Sequence, residues 1–294
     1  MSGCVRPRSL MALSIGSTFC AMLTMDSISQ FITFQPGSIK PPANYLGANI
    51  SQCTLMDGNN VFPSKQVWAM SAQEYIKCAV DEAECELKLK DSYLPKKIET
   101  PFLHGYRPEL DFSTELDPQK INYNQGLIGV LRRIVELGRI DIIVPVTMLS
   151  RYPVSPREGH LQQAYRIFAY LKQFNPPMLI FDDSEPIFPK NNFHMCDWNS
   201  HYPDASEKIL VDAPEPLGHS VSTTCYVDAD HAGCHATRQS HTGVLVYVNC
   251  APVVWSLRYK LRMFGIPVDD ATIVFCDNQA VVINSTHSES TLKK

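Results

Sequence analysis

The chain has no Cys-x-x-Cys pair. Its ten cysteines, at 4, 20, 53, 78, 85, 196, 225, 234, 250 and 276, have neither zinc-ribbon spacing nor the short regular framework of a disulfide-built secreted module. They read as reduced thiols. No uncharged apolar run reaches the length of a membrane-spanning helix, so no membrane partner is expected. An excess of positive charge is also lacking: 26 Lys and Arg stand against 30 Asp and Glu, for a net charge of -4. This disfavours a general phosphate-coating protein and leaves only local basic patches. The only tight metal-like cluster, His231, Cys234 and His235, has a spacing that fits a helix face, but the surrounding Asp228 to Gly233 reads as a turn, so a zinc site is not expected.

What is present suffices for folded domains. With 294 residues, 45% of them hydrophobic, the chain can form two cores and is not disordered by composition. Arg6 and Arg8 precede a mildly apolar Leu10 to Leu23. This weak resemblance to a secretory signal reads as a divergent terminus, and an intracellular location is favoured.

Residues 31 to 50 read as a short strand, a Pro/Gly turn region and a second strand around Tyr45 to Ile50. A helix follows: Ser71 and Glu74 have capping-box spacing, and Ile76, Ala79, Val80, Ala83 and Leu87 form one apolar stripe. Residues 91 to 122, punctuated by Pro95, Pro101, Pro108 and Pro118, read as a linker or extended surface segment. From Tyr123 the pattern is helical, with Leu127, Leu131, Ile134, Val135 and Gly138 on one side. Asp141 to Leu149 reads as a second helix or its entry. Ser155-Pro156-Arg157-Glu158 supplies the cap, first-turn proline and acid of a third helix, which buries Leu161, Ala164, Tyr165, Phe168 and Leu171. The last third changes period. Strands are expected at Thr223 to Val227, Gly243 to Val248, Val253 to Trp255 and Thr272 to Cys276, with short helical pieces at Leu257 to Phe264 and after Asp277-Asn278. That is an α/β unit rather than a sandwich.

Two acids draw attention because each follows an apolar strand: Asp228 and Asp277. In open α/β sheets ligands collect beyond the carboxyl ends of strands. If the two strands are parallel neighbours, both acids reach one mouth, where their repulsion calls for a cation such as Mg²⁺ or Mn²⁺. Two-metal phosphodiester hydrolysis needs more anionic charge than a pair of aspartates supplies. Asp230 is a candidate auxiliary ligand whose plainer reading is a turn residue, since aspartate is common after strands and at helix caps.

An ordered set of blocks now carries a resemblance: Tyr45-Leu46-Gly47 after PGSIKPP, YNQGLIGVLRRIVELGRIDI at 123 to 142, MLSRY at 148 to 152, PREGHLQQAYRIFAYLK at 156 to 172, CYVDADHAGCHATRQSHTG at 225 to 243, PVVWS at 252 to 256 and FCDNQAVV at 275 to 282. In this order they resemble the copia-type retrotransposon polyprotein, from the end of its reverse transcriptase into its RNase H domain. The resemblance implies an α/β protein: a helical reverse transcriptase connection region, then an incomplete RNase H-like mixed sheet with flanking helices. The implied segments are a divergent terminus (1 to 30), a reverse transcriptase remnant after the palm (31 to 98), a linker (99 to 122), the helical connection (123 to 221) and a truncated RNase H-like domain (222 to 294). Tyr45 to Gly47 would approach the primer strand. Asp228 and Asp277 would match two catalytic, metal-binding carboxylates. Arg238, Ser240, Thr242 and Gly243 would have structural roles. The intact family uses Mg²⁺ or Mn²⁺ and acts on an RNA/DNA hybrid.

The departures set the functional expectation. No Tyr-x-Asp-Asp hairpin of the family's polymerase centre stands upstream of residue 31. Trp255-Ser256 runs directly into Leu257 to Met263, where the family would place a long helix bearing its catalytic glutamate, and no acid lies between Trp255 and Pro267. Asp269 and Asp270 fall at the entry end of the fourth strand, about 15 Å from its far end at roughly 3.3 Å per residue. The expected short helix is about 12 Å long, so part of the sheet would lack cover and invite self-association. The leading reading is a non-catalytic remnant that binds no metal productively. One alternative is a residual Mg-dependent hybrid endonuclease using Asp228, Asp277 and Asp230. Another is a nucleic-acid or protein-binding module using Arg132, Arg133 and Arg139 with Arg258, Lys260 and Arg262.

Overall fold

The computed structural model describes residues 43–45, 47–55, 65–175, 178–188, 220–230, 232–253 and 272–276. They form an α/β structure with two four-stranded sheets and flanking helices. Residues up to 180, together with 234–238, make one compact unit; the remaining described residues make a second.

In the first unit β1 (Asn44–Tyr45) and β2 (Ala48–Leu55) form a tight antiparallel hairpin, with Tyr45 opposite Ala48. Gly47 sits at φ +96°, a conformation that favours glycine, and its N–H donates to Asn44 Oδ1 at 3.3 Å. The single strand expected over Tyr45 to Ile50 is therefore two strands with a reversal between them. The sequence reading overlooked β3 (Lys65–Ser71), which pairs with β2 along its whole length. Its neighbours Ala69 and Met70 are both buried, so no alternation marks it as a strand. The short β4 (Leu179–Phe181) completes the order β1-β2-β3-β4.

Helix α1 (Gln73–Lys88) buries all five residues of its expected stripe: Ile76, Ala79, Val80, Ala83 and Leu87. Its start differs from expectation. Ser71 is still paired with Asn49 in β3, so the capping position falls to Ala72 and the Ser71/Glu74 box does not form. Helix α2 (Pro118–Glu136) begins five residues before Tyr123. Asp117 Oδ1 accepts from the Lys120 N–H at 2.9 Å and Pro118 occupies the first turn, where its missing N–H has no consequence. A 3-10 turn at Ile140–Ile142 leads into α3 (Ile143–Leu149).

Helix α4 (Glu158–Gln173) is the centre of this unit and packs against α1, α2 and α3. Beyond the five core residues expected, it buries His160, Gln163, Ile167 and Ala169. A helix apolar over so much of its circumference belongs inside a core. Its cap is not Ser155. The Arg157 N–H donates to His160 Nδ1 at 3.0 Å, so His160 Nε2 carries the proton it shares with the Pro108 carbonyl, also at 3.0 Å. The next two N–H groups, on Glu158 and Gly159, donate to Thr114 O and Ser113 Oγ. The proline-punctuated segment before α2 thus caps a helix far from it in sequence. It is irregular but anchored: Leu94, Ile98 and Leu116 are buried, and the N–H groups of Ile98 and Leu103 donate to Gln173 and Gln163. Those bonds give the buried Gln163 a partner.

The second unit holds the mixed sheet β7-β6-β5-β8. β5 (Thr223–Ala229) pairs antiparallel with β6 (Thr242–Val248), which pairs antiparallel with β7 (Ala251–Val253). β8 (Ile273–Cys276) lies parallel to β5, as the strand-rim argument required. The expected first strand at Phe31, Trp255 and the helical pieces at Leu257 to Phe264 and after Asp277 lie outside the described residues.

Candidate functional site

Asp228 is the penultimate residue of β5, not the residue beyond it. It is paired with Gly243 on β6 and exposed. The antiparallel ladder continues to Ala229↔Thr242, and among the described residues the parallel ladder runs as far as Val227↔Cys276. Asp228 therefore follows directly on the last described pair with β8, with one side tied to β6. In sequence the residue after Cys276 is Asp277, which lies outside the described residues. Gly243 adds no side chain beside Asp228, and a Cβ built there would only touch the Asp228 carbonyl oxygen at 3.9 Å.

Strand alternation puts Tyr226 on the same face as Asp228. The Tyr226 ring stacks on Phe275 of β8, with centroids 4.8 Å apart and planes 11° from parallel, and meets Tyr247 of β6 edge-on at 5.6 Å. Phe188 lies 5.3 Å from Phe275. An aromatic patch thus flanks the acid along the strand. The alternation Tyr226-x-Asp228, with Phe275 two residues before Asp277, was available in the sequence as a same-face signal.

Asp230 has other commitments. One oxygen accepts the His241 backbone N–H, and the other is 3.0 Å from His241 Nδ1. The Asp230 N–H donates to the His241 carbonyl at 3.1 Å, which closes the hairpin. The His241 N–H in particular holds the Asp230 carboxyl below its usual value, helped by the His241 ring and the Gly233 backbone. A Cβ on Gly233 would fall 1.7 Å from Asp230 Oδ2, so any larger residue there would push the Asp230 carboxylate aside. Ser240 accepts from the Ala232 N–H at 3.0 Å, a structural role like the one expected for it.

The candidate phosphate contacts separate. Arg132 is exposed, whereas Arg133 is paired with Glu136 at 2.9 Å along its own helix. Arg139 is a correction: it is 2% exposed and so presents no charge to a surface ligand. Its Nε and Nη2 donate to the two oxygens of Asp141 at 2.9 and 2.8 Å. The pairing of Arg139 with an acid two residues on, after a glycine, was legible as a turn-locked ion pair. Arg258, Lys260, Arg262 and His231 lie outside the described residues. Cys234 is buried, and the His235 N–H donates to Glu109 at 3.0 Å. Among the described residues no three His, Cys, Asp or Glu side chains cluster as metal ligands, and no helix is long and apolar enough to cross a membrane.

The chain is distantly related to a Saccharomyces cerevisiae protein named for the transposon Ty5-1. The two are 24% identical over 230 residues, which cover 78% of this chain and 58% of that protein. The chain thus spans little more than half of that relative's length, and the similarity supports a transposon-related origin. No family model and no solved structure matches it.

Proposed function

We propose that this chain is a non-catalytic remnant of a copia-type reverse transcriptase and RNase H polyprotein. The observation that carries the reading is the rim of the mixed sheet. Asp228 follows directly on the last described pair of β5 with β8, while Asp230, the acid nearest in sequence, is tied to His241 at both oxygens. The order of sequence blocks and the distant Ty5-1 relative support the family part of the proposal.

The chemistry follows from charge. A pair of divalent ions about 4 Å apart brings four positive charges, and bridging carboxylates must offset most of them while leaving room for water and phosphate. Asp228 and Asp277 supply two negative charges. The crossover that should bring a further acid to the rim has none between Trp255 and Pro267. The donor set does not fit two ions, and no hydrolytic step is assigned to it.

The test is direct. Purified protein with millimolar Mg²⁺ or Mn²⁺ and a labelled RNA/DNA hybrid should leave the RNA strand intact. Cleavage that disappears in the D228N D277N double variant would establish an active nuclease and remove the proposal.

A further inference from the structure

Helix α1 packs on its stripe of Ile76, Ala79, Val80, Ala83 and Leu87. At about 3.6 residues per turn the opposite side carries Cys78, Asp81, Glu82 and Cys85, and all four are exposed. Cysteine is among the residue types most often buried, so two on one outward face call for a reason. None of the four side chains has a hydrogen bond or ion pair with another described residue. Their spacing sorts them into two pairs. Cys78 and Glu82 stand four positions apart, as do Asp81 and Cys85, so each thiol has a carboxylate one turn away on the same face. Each pair offers one sulfur and one oxygen, which is half of a four-ligand shell. Among the described residues no three such side chains of one copy converge. The two thiols lie about 10 Å apart along the helix, too far to share one ion.

A second copy completes both shells. The midpoint of the stripe falls between Asp81 and Glu82. A two-fold axis there lays the same face antiparallel on itself and sets Cys78 against the partner's Cys85, a self-complementary contact. Each of two equivalent sites then takes Cys78 and Glu82 from one copy and Asp81 and Cys85 from the other. At the ends of the contact the exposed Glu74 falls beside the partner's Lys88, and Lys88 beside the partner's Glu74, so the flanks attract. At its centre Asp81 and Glu82 meet their own counterparts, and carboxylates so close repel unless a cation stands between them. The cation is thus the condition for pairing. Thiolate ligands select a softer ion than Mg²⁺ or Mn²⁺, and a tetrahedral set of two sulfurs and two oxygens suits Zn²⁺.

We infer that α1 carries half-sites for zinc and that two copies of the chain pair through them, with one ion per chain. Each ion displaces two thiol protons to solvent as it binds. The site is separate from the carboxylate rim and does not depend on that reading. Sedimentation velocity on the full chain, kept reduced with a phosphine so that no disulfide forms, tests it. Zinc should convert monomer to dimer, and EDTA should reverse the change. Cys78→Ser and Cys85→Ser each remove a ligand from both sites, so neither variant alone should pair. Mixed together they should, because a mixed dimer keeps one complete site, from Cys85 of the first variant and Cys78 of the second. D81N E82Q, which keeps both thiols, should bind zinc about tenfold or more weaker. All these positions are exposed, so the buried stripe of α1 stays in place, which circular dichroism checks. Four results would overturn the proposal: a chain that stays monomeric with zinc in excess, a dimer that survives EDTA, zinc-dependent pairing of the C78S C85S double variant, or a mixture of the two single variants that stays monomeric.

Discussion

Among the described residues the first unit has four α-helices beside its sheet and the second has a four-stranded sheet, and the two differ in how that structure is covered. In the first, α4 is buried over more than half its length, and Phe168, Ile167 and Leu171 have no exposed surface. In the second, one sheet face is only partly covered: Val244 is 56% and Val274 59% exposed on the face opposite Tyr226, where Val227 and Val246 are half-buried. Backbone ladders alone contribute little net stability, because unfolded chains bond equally well to water. Apolar cover separates a persistent element from a fraying one. Hydrogen exchange read by mass spectrometry should therefore show the α4 amides protected longest and those of β5 and β6 exchanging earlier. Equal protection in the two units would erase the distinction.

The largest mutational effect should fall on the central helix. Phe168→Ala removes a fully buried ring and should cost about 3–5 kcal/mol. Its counterpart on the sheet, Tyr226→Ala, loses a stacked pair on a half-exposed surface, for which about 0.5–1.5 kcal/mol beyond area is expected. Urea unfolding followed by circular dichroism measures both. A Tyr226 cost as large as that of Phe168 would mean the sheet has a core of its own.

The same contrast explains what the sequence disclosed. Helices with one apolar stripe announced themselves, and every residue expected to be buried on α1 and α4 is buried. Caps were harder. Ser155 looked like a cap, but Ser113 and Thr114 fill the role from more than forty positions away, a pairing that no local pattern records. The early start of α2 was legible from Asp117-Pro118, yet its polar first turn carries no hydrophobic signal. Strand β3 was hidden because both of its faces are partly covered. At the candidate site β5 and β8 were legible as apolar runs, and their parallel pairing was the condition on which the rim argument rested. The engagement of Asp230 by His241 depends on how the hairpin closes across the 229–242 turn. Arg139 misled for a related reason: charge reads as surface until a local partner and a tight turn bring it inside.

Glycine substitutions sharpen the comparison at intermediate size. A Cβ at Gly159 would lie 1.8 Å from Asp111 Oδ2, in the contact that feeds the start of α4. Gly159→Ala should force Asp111 aside and cost about 1–3 kcal/mol, an overpacking penalty. At Gly243 on the sheet the nearest atom is 3.9 Å away, and Gly243→Ala should be near neutral. Thermal unfolding of the two variants checks the difference, which an equal loss would contradict.

The smallest effect is one of pH. Burial raises the carboxyls of Asp111 and Asp141, but their bonds outweigh it: Ser113 and Tyr106 lower Asp111, and Arg139 and Tyr170 lower Asp141, leaving both below the usual value of 3.8. A carboxyl whose folded pKa is depressed adds stability above its unfolded pKa and loses it as pH falls through the folded one. Acid should therefore erode the first unit below pH 3.8 as these groups take up protons. Asp141→Asn removes one of those groups, so the stability gap between variant and wild type should narrow as the pH is lowered from about 5 to about 2.5. Arg139 lies beside Tyr170 with its Cζ 5.8 Å from the ring centroid, so loss of the Asp141 charge should also be felt along the last turn of α4. A gap that stays constant across the titration would show that Asp141 has the same pKa folded and unfolded, and that the bidentate pair fixes the turn without contributing to its acid sensitivity.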